Sequence, residues 1–332
     1  MPEVRLNTIT GDWVVIATER ARRPEQFVQK RERKPLPEHS PGCPFCPGNE
    51  AQTPAATLTI DGAGGGWAVR SVPNKFSALV PEGEPTRRAE GHRTSMTGVG
   101  LHEVIIETPA HNLTTALLPV EQVERILEAY RRRFTAFYAD PRIEHVILFK
   151  NHGEAAGTSL EHPHSQIVGT PVVPGQVRQR IEEALRHWGD LGACVYCRTL
   201  EDELSDGSRV VAANASFVAF VPYAALSPFH VWIFPRQHRA DFGSVTDTEL
   251  ADLAAILRDV LGRLHRGLED PDFNYVIRSL SPNEGAVKYY HWYMSLVPRL
   301  NKAAGFELGT GMFINTALPE SSAAFLRAVP GQ

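Results

Sequence analysis

The sequence has few cysteines, no long apolar run and no excess of basic residues, and each absence excludes a class of protein. No stretch of this 332-residue chain is apolar enough to cross a bilayer. The start, Met1-Pro-Glu-Val-Arg, lacks the apolar core of a signal peptide, which predicts a cytoplasmic location. With a net charge of −4, the chain lacks the basic excess of a nucleic-acid-binding surface. We therefore expect a globular protein that binds neither membrane nor nucleic acid.

The four cysteines form two pairs with one spacing, Cys43-Pro-Phe-Cys46 and Cys194-Val-Tyr-Cys197. In a reducing compartment, thiols at this spacing are typical of metal sites or redox dithiols, not of structural disulfides. A thioredoxin-like dithiol would explain one pair alone. Because histidines follow both pairs at similar distances, metal binding is the better interpretation.

One pattern occurs twice, which predicts an internal duplication. Each cysteine pair is followed by an apolar run ending in a histidine, then a helical stretch, a second apolar run and another histidine. The histidines are His111 and His162 in the first half and His238 and His291 in the second, 51 and 53 positions apart. We predict an α+β fold of two tandem units, each an antiparallel sheet packed by helices, over residues 1–180 and 181–332.

Helical spacing predicts one buried helix in each half. Apolar residues from Val123 to Phe137 recur at i, i+3, i+4 and i+7, and Asp140-Pro141 ends the pattern. In the second half, Thr246-x-x-Glu249 is a capping box before a similar helix. Residues 82–100 are rich in glycine, threonine and arginine, which predicts a surface loop.

Each half offers the four ligands that zinc prefers in a tetrahedral site. The two sets are Cys43, Cys46, His111 and His162, and Cys194, Cys197, His238 and His291. Because a full set leaves no open position, we expect two structural zinc ions. For any single histidine, the alternative is an ordinary core or surface residue.

His164 follows the proposed ligand His162 by two positions, and Tyr293 stands at the corresponding place in the second half. Its possible roles are metal ligand, general base or nucleophile. Its neighbours supply neutral donors and backbone amides suited to phosphate oxygens: Asn151, Gly157, Thr158, Ser159 and Gln166. This environment favours a nucleophile that attacks phosphorus, so we expect catalysis in the first half only.

The segment from Asn151 to Gln166, with His162-Pro-His-Ser-Gln166, resembles the active-site segment of galactose-1-phosphate uridylyltransferases in the histidine-triad superfamily. The segments at residues 5–13, 20–24, 43–46, 72–76 and 305–307 resemble this family too. The resemblance implies two histidine-triad-like domains, a homodimer and a ping-pong reaction. His164 would take UMP from UDP-glucose, release glucose 1-phosphate and pass UMP to galactose 1-phosphate.

The resemblance also implies roles for other residues. Ser159 and Gln166 would bind phosphoryl oxygens, and Asn74 and Asn151 would help hold the nucleotide. Arg20 and Arg23 match basic positions near the nucleotide phosphates or the partner subunit. Gly305, Phe306 and Glu307 resemble the part that binds hexose hydroxyls. On the sequence alone, Asn74 also fits a turn after Pro73, and Glu307 also fits an ordinary exposed position.

Ser165 departs from the commonest family motif, which has glycine at this place. Serine here, together with the second cysteine pair, resembles the plant-type branch that acts as an ADP-glucose phosphorylase. The leading hypothesis is a hexose-1-phosphate uridylyltransferase. The alternative is an ADP-sugar phosphorylase that transfers an adenylyl group through the same histidine. A dinucleoside-phosphate hydrolase and a non-catalytic zinc-stapled binding module are further alternatives, and the asymmetry between the halves disfavours the binding module.

Overall fold

The computed structural model describes residues 2–17, 23–28 and 35–331. The strands are β1 (Glu3–Leu6), β2 (Trp13–Ile16), β3 (Leu58–Asp61), β4 (Trp67–Pro73), β5 (Arg87–Glu90), β6 (Arg93–Met96), β7 (Leu101–Ile106), β8 (His145–His152), β9 (His164–Thr170), β10 (Val210–Ala213), β11 (Phe217–Phe220), β12 (Val231–Pro235), β13 (Phe273–Arg278), β14 (Tyr293–Pro298) and β15 (Phe313–Asn315). The helices are α1 (Val120–Tyr138), α2 (Gly175–Leu191), α3 (Val195–Asp206), α4 (Asp247–Gly267), α5 (Gly305–Thr310) and α6 (Pro319–Ala328). Within these described ranges, no helix is long and apolar enough to span a membrane.

Ten strands form one antiparallel sheet, to which each half contributes five strands in the same order. That order is β3-β4-β7-β9-β8 in the first half and β10-β11-β12-β14-β13 in the second. The halves meet where β8 pairs with β13, with Phe149 opposite Val276. The predicted α+β fold of antiparallel sheets packed by helices is confirmed. The two sheets join edge to edge, so the halves share one continuous hydrogen-bonded layer.

Helices α1 and α4 pack against each other, and their apolar faces join one core with residues of both halves. The buried faces contain the residues expected from helical spacing: Val123, Ile126, Leu127, Tyr130, Phe134 and Phe137 in α1, and Leu250, Leu253, Leu257, Val260, Leu261 and Leu264 in α4. The predicted capping box is present, since the backbone N–H of Thr246 donates to the Glu249 carboxylate at 2.8 Å. Local sequence therefore determines both helices.

The two faces of β9 have different environments because successive strand residues alternate. Ile167 belongs to the core that α1 covers, and the hydroxyl of Ser165 contacts Tyr130 of that helix. His164 and Gln166 lie on the opposite face. In the second half, α2 and α3 cover that opposite face through an apolar cluster that includes Ala184, Leu200, Trp232 and Phe234.

The expectation of a loop over residues 82–100 is wrong in part. β5 and β6 form an antiparallel hairpin in which Arg87 pairs with Met96 and Glu90 with Arg93. Every residue of both strands is exposed, so neither face has the apolar alternation that indicates a strand. The glycine-rich segment at residues 62–66 connects β3 to β4.

Candidate active site

The first predicted metal set lies between the end of β7 and the start of β9. One ligand atom from each of Cys43, Cys46, His111 and His162 lies within 4.8 Å of the other three, and all four residues are buried. His111 follows β7, and His162 precedes β9. The cysteines occupy a turn in which the backbone N–H of Cys46 donates to the Cys43 carbonyl at 3.2 Å. The fold thus gathers four donors that are far apart in sequence.

Hydrogen bonds orient the His162 imidazole for metal binding. Its Nε2 donates to the Thr108 carbonyl at 2.8 Å, because a carbonyl oxygen can only accept. The lone pair is therefore on Nδ1, which lies 3.6 Å from Cys46 Sγ; His111 Nδ1 lies 3.5 Å from the same sulfur. Burial lowers the pKa of His162 to about 4, which keeps the ring neutral. Two thiols and two imidazoles form a donor set that suits zinc.

The second metal set repeats this arrangement with three close donors and a fourth beside them. Ligand atoms of Cys194, Cys197 and His238 lie within 4.8 Å of one another. His238 Nε2 donates to the Val287 carbonyl at 2.9 Å, and its Nδ1 lies 3.2 Å from Cys197 Sγ. His291 Nδ1 is 3.7 Å from the same sulfur. Both sets can bind a metal ion, and their chemistry is compatible with zinc.

His164 is the first residue of β9 and is 7% exposed. Its Nδ1 donates to the His162 carbonyl at 2.8 Å, which places the lone pair on Nε2. The ring of Phe45 packs against the imidazole with the centroids 5.5 Å apart. Burial lowers the pKa of His164 and so favours the neutral ring. The imidazole is held in one tautomer and one orientation. In the second half, Tyr293 begins β14 at the corresponding place.

A cleft of about 770 Å³ runs along the strand ends beside His164. Two of the predicted substrate contacts, Asn151 and Ser159, line it together with the predicted ligands His111 and His162. Apolar side chains of residues 113 and 117 form part of one wall. Residues 265, 270 and 272 of the second half also line the cleft. The structure thus brings the candidate nucleophile and two predicted nucleotide contacts to one cleft.

Asn74 and Gln166 form a separate group on the sheet face that His164 also occupies. His102, which the sequence interpretation missed, lies between them. Its Nε2 is 2.8 Å from Gln166 Oε1 and 3.0 Å from Asn74 Nδ2. Asn74 Oδ1 also accepts from the backbone N–H of Phe76 at 2.9 Å, as expected for a turn. Residues i and i+2 of a strand share a face, so Gln166 and His164 address the same side of the sheet.

Of the remaining predicted contacts, those within the described residues are not among the residues that line this cleft. Arg20 lies outside the described residues. Arg23 is exposed. Gly305, Phe306 and Glu307 form the first turn of α5, where the Glu307 carboxylate accepts the backbone N–H of Ala304 at 2.9 Å. The roles proposed for these residues in phosphate and hexose binding stay predictions.

Beneath His164, on the face covered by α1, lies a buried polar network that the sequence interpretation missed. Lys150 Nζ donates to Glu107 Oε2 at 2.6 Å and to the His164 carbonyl at 3.2 Å. Tyr130 donates to Glu107 Oε1 at 2.9 Å, and the hydroxyl of Ser165 donates to the same oxygen. Burial alone would raise the pKa of Glu107, but the charge of Lys150 and the hydrogen bonds from Lys150, Ser165 and Thr115 lower it. This direction favours the ionised carboxylate beside the Lys150 ammonium.

The second half holds the loop between β8 and β9 through side chains at the entry to β13. Asp272 Oδ2 accepts the backbone N–H of Ala155 at 2.8 Å. The Asn274 amide donates to Asn151 Oδ1 at 2.8 Å and to the Ala156 carbonyl at 2.9 Å. The second half therefore contacts both the end of β8, where Asn151 lies, and the loop that leads to Ser159.

The close approach of the loop between β8 and β9 to Asp272 requires glycine at position 153. Gly153 has φ +83°, and a Cβ there would lie 2.0 Å from the Asp272 carboxylate. Next to Asp272 in the wall, Asp270 Oδ1 accepts from His152 Nε2 at 3.0 Å. This contact also joins the two halves. No local sequence signal marks it, because its partners are more than 100 positions apart.

Comparison with known sequences finds matches in both halves. The sequence model described as galactose-1-phosphate uridyl transferase, N-terminal domain, matches residues 1–174, and the corresponding C-terminal domain matches residues 178–330. An ADP-glucose phosphorylase of Arabidopsis thaliana is 33% identical over 332 residues, which are 99% of this chain and 93% of that relative. A galactose-1-phosphate uridylyltransferase of Thermotoga maritima is 26% identical over 98% of each chain.

A solved structure also has this fold over nearly the whole chain. The crystal structure of an ADP-glucose phosphorylase from Arabidopsis thaliana with bound ADP-glucose superposes with a TM-score of 0.82 and 28% identity, covering 99% of each chain.

Proposed function

We propose that this chain, which belongs to the galactose-1-phosphate uridylyltransferase family of nucleotidyltransferases, moves a nucleoside monophosphate from a nucleotide sugar to a phosphate acceptor. The transfer proceeds through an adduct on His164. The orientation of His164 carries this proposal. Its Nδ1 proton is committed to the His162 carbonyl at 2.8 Å, so the Nε2 lone pair is available for attack. Asn151 and Ser159 line the adjacent cleft and supply neutral donors for phosphoryl oxygens.

In the first step, His164 Nε2 attacks the α-phosphorus of the nucleotide sugar. The P–N bond forms as the bond from that phosphorus to the bridging oxygen breaks, and the hexose 1-phosphate leaves with the electron pair. The positive charge that develops on the imidazole is stabilised by the hydrogen bond from Nδ1 to the His162 carbonyl. The leaving oxygen belongs to a phosphate that is stable as an anion, so no general acid is needed.

In the second step, a phosphate oxygen of the acceptor attacks the same phosphorus. The P–N bond breaks, the nucleotide moves to the acceptor, and His164 returns to its neutral form. Because both the leaving group and the attacking group are phosphate oxygens, one set of donors serves both steps. The reaction therefore needs charge dispersal at phosphorus more than proton transfer.

Of the two candidate donors, we favour an ADP-sugar with inorganic phosphate as the acceptor. The Arabidopsis ADP-glucose phosphorylase shares 33% identity over nearly the whole chain, against 26% for the Thermotoga uridylyltransferase. Ser165, at which the sequence resembles the plant-type branch, makes a buried hydrogen bond to Glu107 in this fold. Transfer of UMP from UDP-glucose to galactose 1-phosphate is the second candidate, since the family model of uridyl transferases matches both halves.

Intact-mass spectrometry after separate incubation with ADP-glucose and UDP-glucose tests this proposal. We expect an AMP-sized increment that inorganic phosphate removes. A UMP-sized increment removed by galactose 1-phosphate would assign the second candidate. An adduct that disappears in buffer alone, without an acceptor, would indicate a hydrolase.

Replacing His164 with glycine should abolish both the mass increment and turnover, because the Nε2 nucleophile is lost. Metal content and the melting temperature should stay close to those of the wild-type protein, since His164 is not in the metal set. A variant that still acquires the nucleotide would place the nucleophile elsewhere. Loss of metal from the variant would make His164 a ligand.

We further propose that both Cys/His sets hold Zn²⁺. Cys43, Cys46, His111 and His162 would hold the first ion, and the second set of Cys194, Cys197, His238 and His291 would hold the other. With four protein donors around each ion, the metal would supply structural cross-linking and not a reactive position.

A further inference from the structure

The buried polar network beneath His164 has no part in the two transfer steps described above. Its central ion pair, Lys150 with Glu107, is among the most buried in the chain, with side-chain exposures of 2% and 0%. The Glu107 carboxylate also accepts from Thr115 at 2.9 Å and from Tyr130 at 2.9 Å. Glu107, Thr115 and Tyr130 lie on the side of the sheet that α1 covers, and Lys150 reaches them from the edge of the cleft beside His164.

The network holds the backbone of the nucleophile directly. Lys150 donates to the carbonyl oxygen of His164 at 3.2 Å. Ser165, the next residue along the chain, is hydrogen-bonded to Glu107 on the same face. On the other side, the His162 carbonyl fixes the imidazole ring at 2.8 Å. The His162 carbonyl thus orients the imidazole ring of His164, and Lys150 holds its backbone carbonyl.

Stability alone is a weak reason for an ion pair at this place. β8 and β9 are already joined by a continuous antiparallel ladder from His145–Thr170 to Phe149–Gln166. Buried ion pairs contribute little net stability, because desolvation offsets most of their attraction. A nucleophile, in contrast, gains from being held within a fraction of an ångström of its attacking position. The position of the pair against the His164 carbonyl is what such a function requires.

We infer that Lys150 and Glu107 are positioning residues of the nucleotidyl transfer, which hold the His164 backbone so that Nε2 is aligned with the phosphorus. Lys150 acts through the His164 carbonyl, and Glu107 acts by holding Lys150 and Ser165. The inference rests on the proposed function, because it concerns the rate at which the His164 adduct forms.

The test compares Lys150→Met, Lys150→Arg and the double variant Glu107→Gln/Lys150→Met in single-turnover adduct formation, followed by quenched mass spectrometry. The melting temperature is measured in parallel. We expect Lys150→Met to lower the adduct rate by about 10- to 100-fold at saturating nucleotide sugar, with little change in the half-saturating concentration. Lys150→Arg, which keeps the charge and the donors, should recover part of the rate.

The double variant separates positioning from stability. It leaves no unpaired buried charge, so its melting temperature should recover toward that of the wild-type protein. Its adduct rate should stay low, because nothing holds the His164 carbonyl. If Lys150→Met does not fold, the double variant carries the comparison. A matched control is Glu103→Gln/Arg133→Met, which removes a different ion pair, one that joins β7 to α1 with an N–O distance of 2.6 Å.

The inference fails if the double variant forms the adduct at the wild-type rate, or if the control loses rate to the same extent. Either result would make the network purely structural while leaving the His164 adduct intact. If the wild-type protein forms no adduct with either nucleotide sugar, the proposed function fails, and this inference fails with it.

Discussion

At the scale of single residues, the turn after α4 is unusual because two side chains occupy left-handed backbone. Glu269 has φ +56° and Asp270 has φ +55°. For Asp270, the contacts of its carboxylate with His152 and with His265 Nδ1 at 3.1 Å stabilise this conformation. Glu269 is exposed. Left-handed backbone costs a residue with a Cβ about 1 kcal/mol or more, so position 269 stores conformational strain.

Replacing Glu269 with glycine should therefore raise the free energy of unfolding, by about 0.5–1 kcal/mol, because glycine adopts this conformation without a steric cost. Urea denaturation followed by circular dichroism measures the change. Glu201→Gly in α3 is the matched control, since Glu201 is exposed in a right-handed helix. That variant should lose about 1 kcal/mol. Effects of the same sign in both variants would contradict the assignment of strain.

At the scale of elements, each predicted metal set brings a cysteine pair next to two histidines from other segments. The first pair lies in a turn, and the second lies at the start of α3. In the first half, a metal ion would join the turn at residues 43–46 to His111, which follows β7, and to His162, which precedes Pro163 and His164. A metal ion would therefore stabilise the approach to the nucleophile without contacting substrate.

Cys43→Ala should release the metal of the first set and keep that of the second, and Cys194→Ala should do the reverse. A site with three donors in place of four binds zinc much more weakly. Metal content per chain, measured by inductively coupled plasma mass spectrometry, checks both variants, and the double variant should hold no metal in either set. Unchanged content in a single variant would show that its set is not a metal site.

The parts of the fold that are set by local sequence could be predicted, and the parts set by distant contacts could not. The spacing of α1 and the capping box of α4 are local patterns, and both helices were predicted with their buried faces. The β8–β13 pairing joins residues more than 100 positions apart and leaves no periodic signal. The hairpin of β5 and β6 has two exposed faces, so its sequence has the composition of a loop.

The same distinction, between local sequence patterns and contacts of distant residues, applies to the candidate active site. The grouping of Cys43, Cys46, His111 and His162 could be predicted because these residue types are chemically specific and their spacing is repeated. The role of His164 stays a prediction. Lys150 and Glu107 leave a weaker signal, which is a single charge at the end of each of the apolar runs Val146–Phe149 and Val104–Ile106. His102 leaves an even weaker signal in the sequence, since a single histidine in a strand is usually an ordinary residue. Their contacts appear only when strands pair.

At the scale of the whole molecule, the turn predicted to bind the hexose does not line the cleft of its own chain. Phe306 and Glu307 lie in the first turn of α5, which is exposed apart from partial burial of residue 307. The predicted homodimer would resolve this, because each subunit would supply its α5 to the cleft of the other. Light scattering should then give twice the chain mass of 36.7 kDa.

Mixing two inactive variants tests whether the subunits share their sites. His164→Gly and Phe306→Ala/Glu307→Ala should each be impaired alone. In a mixed dimer, one site carries both defects and the other carries neither. After dissociation and random reassociation at equal amounts, we expect about one quarter of the wild-type activity. Activity no higher than the mean of the separate variants would mean that each chain uses only its own residues.

The cleft beside His164 is lined by different residues from the two halves of the chain, and this affects how such a protein can evolve. If two identical domains each supplied one wall of a cleft, a single mutation would change both walls. Selection would then act on both walls together. Here the two walls are encoded at different places in one gene. A mutation at residue 265 can therefore change one wall of the cleft while the codons around His164 stay the same.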